Sequence, residues 1–362
     1  MSERLELSQL AKAEARRHRE SLLQLFSGQP SCAIGAFCLA DEVLVRSLET
    51  DVLYVNLASN NHQEKGRLAS SPDPRHQLKG KAQLKDGLAC DVAMVRAFPN
   101  HHAKYWLAGL SELEAPKGVL FSGDLTPSAL DPEVPAGNSH ELMLVLTDSE
   151  AVELRAFVRW LMTCRPATEV LPKRELLLPG SLPKLPNFKI LLLTQPNKSL
   201  KREVLALIAE ARNSIDVTSW AIAADNEVFA QLKAVAGHKR VRVLAHDEPD
   251  NRRALLELCQ AGAEIRFCPG MHAKVWLADR ESNPSAVVSS ANLFSDGLEV
   301  GFELGVRLVP GDVRLEEVSE FIKSREAHLN PWSPLDVEAV KTAHSLKQHG
   351  KPVRVAPRLK LF

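Results

Sequence analysis

HAKYWLAG at residues 102–109 and HAKVWLAD at residues 272–279 are two copies of one eight-residue stretch. Six of their eight positions are identical, and the copies lie 170 positions apart in a chain of 362 residues. A repeat separated by so much chain indicates two structural units of similar build.

The sequence after each copy carries a second set of matching residues. A serine follows the histidine after 20 and 18 positions, an acid or amide lies two positions further on, and a glutamate follows the histidine after 39 and 31 positions. These residues are Ser122, Asp124 and Glu141 in the first half and Ser290, Asn292 and Glu303 in the second. Matches that recur in the same order indicate duplication.

The proline distribution divides the chain. Five prolines and Gly180 lie between residues 165 and 187, which predicts a linker because proline breaks helices and central strands. We therefore expect a first half at residues 1–164, a linker at 165–187, a second half at 188–335 and a basic tail at 336–362.

Alternating apolar strands and amphipathic helices predict an α/β fold, most clearly in the second half. The N-terminal residues 1–20 are charged and helix-prone, residues 60–86 form a polar, basic loop or insertion, and Ser199 and either Asp250 or Asn251 are expected to cap helices. Predicted strands are at 33–39, 52–57, 92–96, 190–193, 215–220, 241–245, 265–267 and 274–277, and predicted helices at 200–212, 227–236 and 252–261.

Composition excludes several classes of protein. Net charge is zero at a pI near 7.2, so only local basic clusters favour a nucleic-acid partner. The first residues are no signal peptide, and no apolar run reaches the ~18 residues of a membrane span, which predicts a cytoplasmic protein without stable membrane association. Six cysteines without C-x-x-C spacing predict reduced thiols and no zinc site.

The His-x-Lys pattern suits chemistry on a phosphodiester. If each copy is a strand, His102 and Lys104 share one face, as do His272 and Lys274. The ammonium neutralises non-bridging oxygens while the imidazole acts as nucleophile or proton donor. The following Ser and Asn residues are candidate hydrogen-bond donors to the same oxygens. Two copies with matching partners favour this interpretation over a solvated strand edge.

These motifs resemble the phospholipase D superfamily. Residues 272–279 match its H-x-K-x4-D signature, including Asp279, and Ser290 and Asn292 match its G-S-x-N continuation with Ser289 in place of the glycine. NSIDVTSWAI at residues 213–222 is similar to an upstream strand of that family. In the first half Gly109 replaces the signature Asp, which is largely a supporting residue in that family, so its loss is tolerable. Asp124 replaces the phosphate-binding Asn, and a carboxylate there repels a phosphate unless it is protonated or neutralised by Lys104, which predicts impaired activity or altered substrate handling.

The resemblance implies two α/β sandwich halves related by a pseudo-twofold axis, with the active site at their interface. It implies a phosphohistidine intermediate and no metal or other cofactor, with His102 as nucleophile and His272 as acid and base, or the reverse. Glu141 and Glu303 would each orient a histidine through Nδ1 and fix its tautomer.

The substrate class stays open between nucleic acid and lipid. Basic residues in the first-half insertion and the C-terminal tail favour a nuclease, and compact halves leave little room for a lipid-sized pocket. A phospholipase D or phosphatidyl-transfer enzyme is one alternative, and a catalytically impaired nucleic-acid-binding subunit is another. A protein partner is possible, and the chain is expected to be a monomer or homodimer. The basic residues are Arg67, Arg75, Lys79, Lys81 and Lys85 in the insertion and Lys341, Lys347, Lys351, Arg354, Arg358 and Lys360 in the tail.

Other conspicuous residues have ordinary explanations. Trp106 and Trp276 recur in the repeat and suit either the core or a groove wall. The remaining candidates, His101, His140, His246, Cys268 and Met271, are expected to be polar, loop or packing residues.

Overall fold

A computed structural model describes residues 2–37, 44, 47–58, 92–98, 101–124, 126–134, 138–163 and 186–332. The expected insertion at 60–86, most of the linker at 165–187 and the basic tail at 336–362 lie outside the described residues. The division of the chain into those segments therefore stays a prediction.

The first half is built on a six-stranded sheet. Its strand order is β3-β2-β1-β4-β5-β6. Strands β1, β2 and β3 are mutually parallel, whereas β4, β5 and β6 each run antiparallel to the preceding neighbour in that order. The strands are β1 (Ser31–Ala36), β2 (Val52–Ala58), β3 (Val92–Phe98), β4 (Tyr105–Ala108), β5 (Lys117–Phe121) and β6 (Met143–Val145).

The second half repeats this topology in a seven-stranded sheet with the order β10-β9-β8-β11-β12-β13-β7. Parallel and antiparallel pairings recur in the same places, and β7 adds one antiparallel edge strand. The α/β fold with two similar halves is thus confirmed. The strands are β7 (Leu191–Leu193), β8 (Ser214–Ser219), β9 (Arg240–Ala245), β10 (Glu264–Phe267), β11 (Lys274–Ala278), β12 (Ser285–Ser289) and β13 (Leu304–Leu308).

Helices cover the sheets and join the halves. The described helices are α1 (Ser2–Phe26), α2 (Pro127–Leu130), α3 (Asp148–Thr163), α4 (Ser199–Glu210), α5 (Glu227–Val235), α6 (Arg252–Gln260) and α7 (Arg314–Glu326). Helix α1 belongs to the first half, yet its Glu14 pairs with Arg325 of α7 and its Arg17 lies 3.2 Å from Glu317. These ion pairs connect the N-terminal helix to the last helix of the second half.

One hydrophobic core runs through both halves. Leu144 and Phe157 from the first half share a buried cluster with Leu277, Val306 and Phe321 from the second. Burial of apolar surface contributes about 25 cal/mol per Å², so a shared core holds the halves in one relative placement. An interface site can therefore keep a defined geometry.

Three local predictions needed correction. The His-x-Lys segments do not lie wholly on strands: β11 begins at Lys274, as the predicted strand 274–277 does, so His272 precedes it, and β4 begins at Tyr105, after both His102 and Lys104. Ser199 is the first helical residue and not a cap; its Oγ accepts from the Leu193 N–H at 2.8 Å. Asn251 makes no side-chain cap for α6, since its amide bonds to other backbone groups.

Both repeat tryptophans are core residues and not groove walls. Trp106 and Trp276 are each 1 % exposed. They pack in two separate buried clusters, one in each half. Cys268 and Met271 are buried packing residues, as expected. None of the described helices is long and apolar enough to cross a membrane.

Candidate active site

The two His-Ala-Lys segments are each held by the opposite half. The backbone N–H of His102 donates to the Phe302 carbonyl at 3.0 Å, and the N–H of His272 donates to the His140 carbonyl at 3.0 Å. Phe302 and His140 are the residues immediately before Glu303 and Glu141. The contact therefore brings each histidine next to the glutamate of the other half.

The glutamates are crossed between the halves. Nδ1 of His102 lies 2.8 Å from Oε1 of Glu303, and Nδ1 of His272 lies 2.9 Å from Oε1 of Glu141. A carboxylate at Nδ1 holds the proton there and leaves Nε2 to face the site. Both glutamates are buried, whereas the two histidine side chains are 23 % and 18 % exposed.

Each serine supports the glutamate of its own half. Ser122 Oγ donates to Glu141 at 2.6 Å and accepts from the Leu142 N–H at 2.8 Å. Ser290 Oγ donates to Glu303 and accepts from the Leu304 N–H at 3.1 Å. A hydroxyl has one proton to donate, so these serines orient the glutamates and are not phosphate donors in this geometry.

The lysines are buried between the histidines and the neighbouring carbonyls. Lys274 Nζ lies 3.3 Å from Nε2 of His272 and donates to the Ser122 carbonyl of the other half at 3.2 Å. Lys104 Nζ donates to the His102 carbonyl at 3.0 Å and lies 3.6 Å from Asp124. Two ammonium groups of opposite halves thus point into one small volume.

Asp124 and Asn292 occupy corresponding places with different charges. Asp124 Oδ1 accepts from the Phe37 N–H at 3.0 Å, and Asn292 Oδ1 accepts from the Ala221 N–H at 3.3 Å. Burial opposes ionisation of Asp124, but Lys104 and the other site cations hold its pKa below the ordinary value. Lys104 thus forms an ion pair with this carboxylate and balances its charge.

Burial and charge set the protonation of the site. Desolvation lowers the pKa of both His102 and His272, while the crossed glutamates act in the opposite direction. Desolvation and the charge of Lys104 lower the pKa of Lys274 to about 7. The cations next to Glu141 outweigh its desolvation and lower its pKa to about 2. Perturbed groups of opposite sign that converge in a cleft are typical of an active site.

Aromatic side chains next to the histidines were missed from the sequence. The ring centroid of Phe37 lies 5.3 Å from that of His102, and Trp220 lies 5.4 Å from His272, both edge-on. Phe37 directly follows β1, and Trp220 directly follows β8, the corresponding strand. An aromatic residue one position beyond β1 and one position beyond the corresponding strand β8 was a signal that sequence comparison of the halves would have found.

The last residue of the HAKVWLAD repeat is structural. Asp279 has a left-handed backbone, φ 48°, and its carboxylate accepts from the N–H groups of Arg212, Asn213 and Ser214 at 2.7, 2.6 and 3.1 Å. Gly109 ends the other repeat with φ 76°, which glycine adopts without strain. The replacement of Asp by Gly changes a loop anchor and no group at the site.

Comparison with known proteins identifies the fold. Residues 204–323 match the family model described as "Cardiolipin synthase, PLD-like domain". The second half of the chain is therefore similar to a phospholipase D-like domain. Phosphatidylserine synthase of Haemophilus influenzae Rd KW20 superposes with a TM-score of 0.63 at 12% identity, over 93% of this chain and 92% of that one. A search of curated proteins found no significant match.

Larger and smaller solved structures also match. Polyphosphate kinase from Porphyromonas gingivalis has a TM-score of 0.55 at 13% identity, covering 85% of this chain, which spans only 45% of that protein. Nuc from Salmonella typhimurium, described as a phospholipase D family member, has a TM-score of 0.35 at 17% identity over 39% of this chain and 95% of that one.

Within the described part of the chain, no group of three or more His, Cys, Asp or Glu side chains is arranged to hold a metal ion. The residues that converge are instead two imidazoles, two ammonium groups and three carboxylates. They are His102, Lys104, Asp124, Glu141, His272, Lys274 and Glu303, with Asn292 at the edge.

Proposed function

We propose that the chain is a metal-independent nuclease that cleaves phosphodiester bonds with His102 and His272. The crossed pairing of each histidine with the glutamate of the other half carries the proposal. It gives two imidazoles with fixed tautomers that face one site, as a nucleophile and a proton donor acting on the same phosphate require.

The first step forms a covalent bond to His102. Its neutral Nε2 attacks phosphorus, a P–N bond forms, and the P–O bond to the leaving group breaks. The leaving oxygen takes a proton from Nε2 of His272, which starts as an imidazolium stabilised by Glu141. Glu303 accepts the Nδ1–H of His102 and stabilises the positive charge of the phosphohistidine.

The second step releases the product. Neutral His272 takes a proton from a water molecule whose oxygen attacks phosphorus and breaks the P–N bond. His102 returns to its neutral form and His272 to its protonated form, so the cycle closes. Lys104 and Lys274 neutralise the non-bridging oxygens in both steps, and Asn292 supplies a further polar contact.

Nucleic acid is favoured over lipid by the basic segments at residues 67–85 and 341–360, which suit phosphate contacts along a polymer. A lipid substrate needs an apolar surface for its acyl chains, whereas the side chains that pair with the two histidines and with Lys104 are carboxylates.

The two alternatives predict different activities. A lipid phosphodiesterase would hydrolyse phospholipid in mixed micelles faster than any nucleic acid. A binding subunit impaired by Asp124 would hold nucleic acid and form no covalent histidine adduct under any condition.

The deciding experiment is cleavage of labelled single- and double-stranded DNA and RNA in excess EDTA. Wild type should cleave at least one polymer, and His102→Ala and His272→Ala should each lose activity by at least about 10³-fold. His238→Ala, which alters an exposed histidine outside the site, is the matched control and should match wild type. Complete loss of wild-type activity in EDTA would point to a metal nuclease and refute the scheme.

Mixtures denatured at alkaline pH, where the P–N bond of a phosphohistidine is stable, and analysed by mass spectrometry test the covalent step. During turnover we expect an adduct on His102 whose phosphorus still carries the remaining ester-linked part of the substrate. An adduct on His272 would reverse the two roles, and hydrolysis of micellar phospholipid alone would replace the nuclease by a lipid phosphodiesterase.

A further inference from the structure

Trp220 and His246 form an aromatic stack beside the site. Their ring centroids lie 3.8 Å apart with an interplanar angle of 10°, and the same Trp220 ring lies edge-on to His272. Both residues are partly exposed, whereas Trp106, Trp160 and Trp276 are buried in the core. A partly exposed aromatic stack therefore lies in contact with a candidate catalytic histidine.

The buried side chain of Asn251 joins the backbones of the two stacked residues. The Asn251 amide donates to the Trp220 carbonyl at 2.7 Å and to the His246 carbonyl at 3.1 Å, and its Oδ1 accepts from the Ile222 N–H at 2.8 Å. The Gly270 N–H donates to Nδ1 of His246 at 2.9 Å, which fixes that imidazole. The backbones of both residues and the His246 ring are thus held in place, so a ligand that stacks on the rings orders little additional structure.

The charges around the stack favour an uncharged, planar ligand group over phosphate. Glu248 lies 3.8 Å from Nε2 of His246, and Asp247 pairs with Arg252 at 2.9 Å. Acidic groups at this edge repel a phosphate, while a nucleobase is planar and uncharged. A quaternary ammonium headgroup also binds aromatic faces, but it is held by a cage of several rings, and these two rings cover one face of each other.

We propose that the Trp220–His246 stack is a platform for an unpaired nucleobase next to the cleaved phosphate, which makes single-stranded nucleic acid the substrate class. This inference rests on the proposed nuclease function. A paired base has both faces covered within its duplex, so only an unpaired base stacks on a protein ring without first leaving a helix.

Two small chromogenic phosphodiesters test the platform. The p-nitrophenyl ester of thymidine monophosphate carries a base, and methyl p-nitrophenyl phosphate has the same leaving group without one. The measured quantity is the ratio of their kcat/KM values. Wild type should prefer the nucleoside ester. Trp220→Leu should reduce the ratio of the two kcat/KM values about tenfold, because the stacking surface is lost. Trp220→Phe keeps a flat ring and should retain most of the wild-type ratio. Trp332→Leu changes a partly exposed tryptophan that packs on Phe267 and should leave the ratio unchanged.

Each other outcome overturns a defined part of the proposal. A wild-type ratio near one, or an equal loss on both esters in Trp220→Leu, would reduce Trp220 to a support for His272 and leave the phosphodiesterase proposal standing. A preference for p-nitrophenyl phosphorylcholine that Trp220→Leu abolishes would assign the platform to a lipid headgroup. Failure of wild type to hydrolyse either ester would refute the proposed function itself.

Discussion

Oε1 of Glu141 lies 2.9 Å from Nδ1 of His272, although the two residues are 131 positions apart and belong to different halves. Glu303 and His102 form the reciprocal contact. Each half thus contributes a histidine and the carboxylate that orients the partner half's histidine. A single isolated half would have a His-Lys pair without its orienting acid.

The crossed pairing predicts which double variants are additive. Glu141→Gln should lower kcat roughly 10²-fold, because the imidazolium of His272 loses its carboxylate. The double variant with His272→Asn should be no worse than His272→Asn alone, since the two residues act as a unit. Glu141→Gln combined with Glu303→Gln should show nearly multiplied losses. Coupling of Glu141 to His102 in place of His272 would contradict the crossed arrangement.

The pH profile of kcat/KM should be bell-shaped and lie on the acid side of the ordinary imidazole value of 6.5, because burial lowers the pKa of both histidines. His102 must be neutral, so its pKa sets the acid limb; His272 must be protonated, so its pKa sets the alkaline limb. Each glutamate raises its partner's pKa. Glu303→Gln should therefore move the acid limb to lower pH and Glu141→Gln the alkaline limb, and a flat profile would count against two catalytic histidines.

Lys274 should add a second loss of kcat/KM near pH 7. Burial and the charge of Lys104 lower its pKa to about 7, so the free enzyme loses this cation as pH rises through that value. Bound phosphate stabilises the ammonium, so the same limb in kcat should lie at higher pH. Lys274→Arg keeps its charge over the whole range, and its profile should lack this limb. An unchanged alkaline limb in that variant would assign the limb to another group.

Asp124 should weaken substrate binding without abolishing catalysis. Its ionised carboxylate lies 3.6 Å from Lys104 and competes with phosphate for that cation. Asp124→Asn should lower KM roughly tenfold by removing one negative charge from the site. Asn292→Asp places the same charge in the other half and should raise KM by a similar factor. A loss of activity in Asp124→Asn would show that the carboxylate has a role of its own in the reaction.

Asp279 should matter for stability more than for chemistry. Its carboxylate accepts three backbone N–H groups, and charge-assisted bonds of this kind contribute about 1.5–3 kcal/mol each at most. We expect Asp279→Ala to lower the Tm and to reduce the free energy of unfolding by about 2–4 kcal/mol. The pH profile of kcat/KM, measured on the folded protein, should stay the same. Gly109→Ala is the corresponding variant in the first half and should also lower the Tm. Its backbone φ is 76°, and an added Cβ would lie 2.8 Å from the Ala115 carbonyl oxygen. A shifted profile in Asp279→Ala would place it in the catalytic machinery.

The order of the elements was predictable because it depends on local patterns. Apolar runs and the helical spacing of leucines and valines placed strands such as β8 and helices such as α4 within a few residues of their positions. The repeated HAK segments located both histidine–lysine pairs. The predicted helix caps were wrong where a side chain makes hydrogen bonds to distant parts of the chain instead. Asn251 was an expected helix cap, but its amide donates to the carbonyls of Trp220 and His246.

The sequence by itself determined the chemical groups of the site and their duplication, since both are recorded in residue identity and spacing. The tertiary structure alone decided the pairings. The spacing alone allows Glu141 to pair with either histidine. In the structure, the hydrogen bond from the His272 N–H to the His140 carbonyl brings Glu141 next to the histidine of the other half. The hydrogen bonds from the serine hydroxyls to the glutamates and the position of Trp220 beside His272 likewise depend on tertiary packing. Packing brings residues together without regard to their separation along the chain.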